Sequence, residues 1–340
     1  MLIKRRFIPN LLISLFSVVA FGSASTAWAT NSITTIGNKT RIVAGNRTLE
    51  VEQGIVYEVG ESRTPIEQLY DPNFVQNTYT KNANIIYRII PNHGNLQVKR
   101  NFTENFDSAN TVRDLIGADV NWTAMTVQGE GSPTVASYVD LRHKILRGQS
   151  DFLDNRIDPS TQRKHSGTKS LRTFTKATTN GLDVNKSSLD TELTFFARGD
   201  DFWFSGWFFL EQGKPASLID LESAYMKEGP GIRLMLDDEL RPSVQLKFAY
   251  KPAFKMPQQT NYSLPTGKWV HLRLHIYLMD SDAGRVRLWM DNTKLIDQAG
   301  RTLTMFDAVY NSLQVGITAA PPNMNTVLYM DDIRVSDSGL

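Results

Sequence analysis

Trp269-Val270-His271-Leu272-Arg273-Leu274-His275-Ile276-Tyr277-Leu278 alternates apolar and polar side chains almost without a break. A period of two belongs to a β-strand, whose successive side chains point to opposite faces. Val270, Leu272, Leu274, Ile276 and Leu278 therefore share one face, and Trp269, His271, Arg273, His275 and Tyr277 share the other. A strand that is apolar on one side only belongs to a half-buried, antiparallel sheet. Immediately downstream, Asp280 to Gly284 is a polar turn and Arg285-Val286-Arg287-Leu288-Trp289-Met290 alternates again. Asp291-Asn292 then turns the chain into Leu295-Ile296-Asp297.

Working outward, similar runs fill the chain from Thr191 to Asp332. They include Leu193–Ala197, Asp201–Leu210, Ala216–Ser223, Gly231–Leu236, Ser243–Tyr250, Leu313–Ala319 and Thr326–Ile333. No long helical repeat interrupts them. Many strands without crossover helices predict an all-β fold, a β-sandwich of two antiparallel sheets. Val135 to Phe152 is the best helix candidate, with Val139, Leu141, Ile145 and Leu146 roughly on one side and Gly148 closing the run. Residues 30–134 read as an N-terminal β-rich extension or small module, with short strands at Thr40–Ala44, Thr48–Val51 and Gly54–Val59 and a hairpin from Ile85–Ile90 and Leu96–Arg100.

The first residues, Met-Leu-Ile-Lys-Arg-Arg, precede an apolar run from Phe7 to Phe21 and end in Ala27-Trp28-Ala29. This is the pattern of a cleaved leader over residues 1–29, so the expected location is secreted or periplasmic. No later stretch approaches the length of a membrane span, so none is expected in the mature chain. The chain of 340 residues has no cysteine, which removes disulfides, cysteine nucleophiles and cysteine metal sites. Its net charge of +2, with no long Lys/Arg block, argues against nucleic acid as a partner.

Gly267-Lys268-Trp269-Val270-His271-Leu272 followed by Gly284-Arg285-Val286-Arg287-Leu288-Trp289-Met290-Asp291 resembles the concanavalin A-like lectin/glucanase (laminin-G-like) superfamily. Leu313-Gln314-Val315-Gly316-Ile317 and Leu328-Tyr329-Met330-Asp331-Asp332-Ile333 are similar to its closing strands, and His165-Ser166-Gly167-x-x-Ser170-Leu171-Arg172 is similar to the opening of its polysaccharide-lyase-like and carbohydrate-binding members. The resemblance covers about residues 135–338 and implies a jelly-roll sandwich. It implies a glycan partner more strongly than any one activity, because this fold hosts lectins, hydrolases, lyases and adhesion modules.

Sugar-active members use the concave face of one sheet, and the strands from Asp201 to Tyr250 are the expected contributors. Trp203, Ser205 and Trp207 alternate with Phe202, Phe204 and Phe208, so one set is core; the set with Ser205 is the candidate sugar platform. Asp220 and Glu222 share a strand face and offer either paired carboxylates or an ion pair with Arg233 or Lys247. They resemble the last two positions of a Glu-x-Asp-x-Glu hydrolase strand, but Leu218 stands where the nucleophile would be, so retaining hydrolysis is excluded. A lyase for an anionic glycan instead needs a cation at the uronate carboxylate, a base for the C5 proton and an acid at the leaving oxygen. Arg172, Arg233, Lys247 and Tyr250 are the candidates for that chemistry with Glu222, and Trp203, Trp207, Asp220, Gln245 and Lys251 are the candidates for substrate binding. The Arg-x-Glu and Gln-x-His motifs of the alginate lyases of this fold are absent.

His271 and His275 share a face but lie about 13 Å apart along a strand, too far for one metal, and no metal ligand set is expected. Asp331-Asp332 is the one place where a structural calcium could bind through oxygens, as in several members of this fold. The functional expectation is an exported polysaccharide-active protein that cleaves a uronate-containing glycan by β-elimination. The alternative is a non-catalytic carbohydrate-binding or surface-interaction module on the same fold.

Overall fold

The computed structural model describes residues 32–36, 39–44, 47–52, 55–59, 63–65 and 99–340, apart from 118–119, 180, 193, 225–228, 249–250 and 305–307. The leader of residues 1–29 and the hairpin expected at Ile85–Ile90 and Leu96–Arg100 fall outside the described residues, apart from its last two positions.

Five short strands come first: β1 (Ser32–Ile36), β2 (Lys39–Ala44), β3 (Arg47–Glu52), β4 (Ile55–Val59) and β5 (Arg63–Pro65). Each pairs antiparallel with the next, and they form a sheet of their own. Then follow β6 (Phe102–Glu104), α1 (Val112–Leu115), β7 (Ala124–Thr126), α2 (Val135–Leu146), β8 (Arg156–Ser160), β9 (Ser170–Thr175), β10 (Asn185–Thr191), β11 (Asp201–Gln212), β12 (Ser217–Glu222) and β13 (Gly231–Leu236). The chain ends with β14 (Pro242–Phe248), β15 (Lys251–Pro257), β16 (Trp269–Tyr277), β17 (Arg285–Met290), β18 (Thr293–Ala299), β19 (Ser312–Ala320) and β20 (Thr326–Ser336).

These strands make two antiparallel sheets. One has seven strands in the order β15-β14-β13-β12-β19-β10-β7, and the other has eight, in the order β18-β17-β16-β11-β20-β9-β8 with β6 added beside β20. Sequence neighbours are often not sheet neighbours: β19 runs between β10 and β12, and β20 runs between β9 and β11. The result is the jelly-roll sandwich expected from the alternation and the resemblance. Strands β6 and β7, which precede residue 135, pair with β20 and β10 and so belong to the sandwich sheets.

The apolar half of each strand faces the other sheet. Val270, Leu272, Leu274 and Ile276 of β16 join Phe202, Phe204 and Phe208 of β11 in one buried cluster with Ile219, Leu221, Ile232, Leu234, Val244 and Leu246 of the seven-stranded sheet. Full burial of each such side chain contributes about 1.5–3 kcal/mol, and in a chain without disulfides this cluster is the main source of stability. Local signals set the ends of elements. Thr134 caps α2 and exchanges hydrogen bonds with Ser137, and Gly148 at φ 72° stops the helix short of the expected Phe152. Asp291 at φ 53° makes the tight turn from β17 into β18. Among the described residues, no helix is long and apolar enough to cross a membrane.

Candidate functional site

The polar halves of the strands point away from the core, and the two sheets therefore carry two separate polar faces. On the seven-stranded sheet one row crosses six strands in register: Asp190, Gln314, Asp220, Arg233, Gln245 and Lys255. The adjacent row is Ser312, Glu222, Gly231 and Lys247. Same-face neighbours on adjacent strands lie close enough to interact, which turns the sequence spacing of Asp220 and Glu222 into a cluster.

Arg233 is its centre. Its Nη2 donates to Glu222 Oε1 at 2.6 Å, its Nε donates to the same oxygen at 3.2 Å, and its Nε lies 3.3 Å from Asp220 Oδ2. Asp220, 2 % exposed, also accepts from the Ser217 hydroxyl at 2.6 Å and the Thr318 hydroxyl at 3.0 Å. Burial works against the guanidinium charge, but the Asp220 and Glu222 carboxylates outweigh it and hold Arg233 above its ordinary pKa. The Lys247 ammonium sits 3.8 Å from Glu222 Oε1. Its pKa is lowered, first by burial and then by Arg233 and Lys186, against the pull of Glu222 and Asp220. The ion pairs expected of Asp220 and Glu222 with Arg233 and Lys247 are thus both present.

A second group on this sheet went unnoticed in the sequence. Asp190 of β10 accepts from Thr126 at 2.7 Å and from Ser188 at 2.9 Å, and burial still pushes its carboxyl up to about 6. Glu192, just past the same strand, is pushed up to about 8 by burial, opposed by Arg142 and reinforced by Asp190. Arg142 of α2 is 1 % exposed, donates to the Met125 carbonyl at 3.2 Å and lies 4.0 Å from Glu192. Tyr138, one helical turn before Arg142, is half-buried. Its phenol is pushed up by burial, with Arg142 opposing and Asp190, Glu192 and Glu222 adding to the rise. It therefore stays protonated at neutral pH. The available signal was Asp190-x-Glu192, the same spacing as Asp220-x-Glu222.

Not every expected site residue reaches this face. Trp203 and Trp207 project from the outer face of the eight-stranded sheet, with the sandwich core between them and Arg233. Trp203 stacks on His275 at 3.9 Å, and Trp207 stacks with His165 at 3.7 Å and His271 at 4.9 Å. Their rings are engaged by imidazoles rather than laid open as a platform beside the ion cluster. Arg172 is on β9 of the same eight-stranded sheet, opposite Tyr329 and Asp158 and over the Phe174 ring at 5.3 Å. Gln245 lies in the Arg233 row. Lys251 belongs to β15, and Tyr250 lies outside the described residues.

The calcium expectation at Asp331-Asp332 meets a different arrangement. Asp331 Oδ2 accepts the backbone N–H groups of His165 and Ser166, while Asp332 takes the His165 ring at 2.8 Å and the Ser166 hydroxyl at 2.8 Å. These carboxylates serve as a clip for the 165–166 loop, a poor match for an ion that takes six to eight oxygens. Among the described residues, no group of three His, Cys, Asp or Glu side chains is placed to hold a metal.

The family described as polysaccharide lyase matches residues 134–334, which contain both faces and the whole of the Asp220–Arg233–Lys247 cluster. The chain belongs to the polysaccharide lyase family. Solved structures similar to this chain include an endo-β-1,4-glucuronan lyase from the fungus Trichoderma reesei, at 14% identity and a TM-score of 0.47 over 56% of this chain and 90% of that one. The alginate lyase Aly36B is similar at 10% identity and a TM-score of 0.40, over 71% of this chain and 98% of that one. An alginate lyase from Aplysia kurodai is similar at 12% identity and a TM-score of 0.39, over 63% and 98%. A comparison with curated proteins gives no match.

Proposed function

We propose that this member of the polysaccharide lyase family cleaves a uronate-containing glycan by β-elimination on the outer face of its seven-stranded sheet. The observation that carries the reading is the Arg233 guanidinium, oriented from two sides by Glu222 and Asp220, with the Lys247 ammonium beside it on the same face. The hydrogen bonds from Arg233 leave through Nε and Nη2, so its Nη1 edge is the part left to meet a substrate carboxylate. A cation there withdraws charge from the carboxylate and acidifies the C5 proton. Lys247, its pKa lowered by burial, is the group placed to take that proton once its amine is unprotonated. The C5–H electrons form the C4–C5 double bond, the C4–O bond breaks, and the leaving oxygen takes a proton from the Tyr138 phenol. The leader of residues 1–29 supports export to the periplasm or the medium, which is where a polymeric glycan would be met.

A second reading, a non-catalytic glycan-binding module, is favoured by one observation: Asp220 and Glu222 together balance the charges of Arg233 and Lys247. One experiment separates the two. The mature protein is incubated with glucuronan, alginate, pectate and heparin, and the ultraviolet absorbance of an unsaturated uronate product is followed. A rise on one polymer supports the lyase reading. Retained binding with no rise on any polymer supports the binding module, and neither binding nor turnover removes both.

A further inference from the structure

A cavity lies on the other side of the sandwich from the Arg233 cluster. It has a volume of about 670 Å³ and opens on the outer face of the eight-stranded sheet, where β6 lies beside β20. Ser205 and Arg334, paired across β11 and β20, line it together with Asn105, Ser108, Asp114 and Asn121. The volume falls within the roughly 300–1,000 Å³ range of small-ligand sites. Ser205 is the small residue between Trp203 and Trp207 on the same strand face, so the cavity lies in a gap that a larger side chain would fill.

We infer that this cavity is a second carbohydrate site, one that takes neutral sugars. Three carboxylates line it, from Glu104, Asp114 and Asp332, against the single guanidinium of Arg334. A uronate would meet an excess of negative charge there, so the ligand is not the polymer proposed for the other face. The carboxylates are already oriented. Glu104 accepts from the Phe106 N–H and from Asn121, Asp114 accepts from the N–H groups of Asn110 and Thr111, and Asp332 is held by His165 and Ser166. Each carboxylate keeps lone pairs beyond those bonds for a sugar hydroxyl, those of Asp114 on Oδ1 because its Oδ2 takes both N–H groups. Arg334 is exposed and forms no ion pair with a carboxylate among the described residues, so its donors are available too. Val120, partly exposed and next to the buried Leu115 and Ile333 in the lining, adds an apolar side chain for the C–H face of a pyranose ring. Acceptors, donors and apolar surface in one cavity suit a polyhydroxylated, uncharged ring.

The test is isothermal titration calorimetry of the full mature chain with neutral gluco- and manno-oligosaccharides, and separately with oligoglucuronate. Ser108 is exposed at the rim, so Ser108→Trp plugs the cavity without entering the core. The expected result is that a neutral oligosaccharide binds the wild type and Lys247→Ala equally, and binds Ser108→Trp and Arg334→Ala at least about tenfold more weakly. Unfolding midpoints of both variants close to wild type would show that they still fold. The inference is overturned if no neutral oligosaccharide binds. It is also overturned if binding disappears in Lys247→Ala and survives in Ser108→Trp, because the ligand would then sit on the lyase face. Oligoglucuronate binding in Ser108→Trp reports on the proposed lyase face alone.

Discussion

Arg233 and Glu222, on neighbouring strands, are joined by two donors of one guanidinium to a single carboxylate oxygen, at 2.6 and 3.2 Å. The same guanidinium reaches Asp220 at 3.3 Å. Removing it leaves two largely buried carboxylates without their cation. Arg233→Ala is therefore expected to cost about 3–5 kcal/mol, the range for breaking a buried ion pair from one side. Arg233→Lys keeps the charge but loses the planar fork, and should fall between the variant and the wild type. Equilibrium urea unfolding of the three proteins checks the order.

Lys247 differs from Arg233 because its nearest carboxylate oxygen is 3.8 Å away and a quarter of its side chain is exposed. Lys247→Ala should change stability by less than about 1 kcal/mol while lowering kcat/KM on the cleaved uronate by about 10²–10⁴. The folded pKa of Lys247 lies below 10.5, so turnover by the wild type should rise as pH climbs toward it and the amine loses its proton. Lys247→Arg is the discriminating variant, since arginine keeps the charge and does not deprotonate. Loss of activity in Lys247→Arg supports a base, whereas recovery would leave Lys247 with a purely electrostatic part.

Glu192 gives a pH dependence with a definite sign. Its ordinary carboxyl pKa of 4.5 is raised by burial to about 8 in the folded chain. The folded state therefore binds more protons than the unfolded state between those values, and stability falls as pH rises through that window. Asp190, raised to about 6, acts in the same direction over a narrower range. Glu192→Gln removes the larger dependence. Relative to wild type, the variant should gain on the order of 2 kcal/mol between mildly acidic and mildly alkaline pH. Thermal unfolding midpoints across that range would show a flatter curve for the variant, and parallel curves would rule the assignment out.

Period-two alternation made the strands legible, and it correctly separated Phe202, Phe204 and Phe208 from Trp203, Ser205 and Trp207. It could not show which sheet each strand joins. That depends on long-range pairing: β11 lies between β16 and β20, whereas β12 lies between β13 and β19. Residues 203 and 220 are close in sequence and have outward-facing side chains on opposite sides of the molecule for this reason. Asp220 and Glu222 were legible because both interrupt an apolar strand at the same spacing. Asp190 was not, because β10 is already rich in polar residues, and Tyr138 and Arg142 are not among the apolar positions that marked the helix in the sequence. Only the packing of α2 brings them toward Glu192.

Gly231 lies between Glu222 and Lys247 in the row and contributes no side chain there. That gap lets the Lys247 ammonium extend over β13 to within 3.8 Å of Glu222, two strands away. A Cβ at position 231 would meet the Leu221 carbonyl oxygen at 2.2 Å and the Glu222 Cα at 2.7 Å, both backbone atoms with little freedom to move. Gly231→Ala should cost about 1–3 kcal/mol through displacement of β12 from β13. It should also lower turnover, because the displaced strand carries Glu222 and Asp220 away from Arg233. Gly117→Ala is the control, since among the described residues its Cβ would meet only a Val120 methyl at 3.6 Å, and its stability should stay within about 0.5 kcal/mol of wild type. If Gly231→Ala unfolds like the control and turns over uronate at the wild-type rate, the close fit of β12 against β13 is not what holds the Arg233 cluster in place.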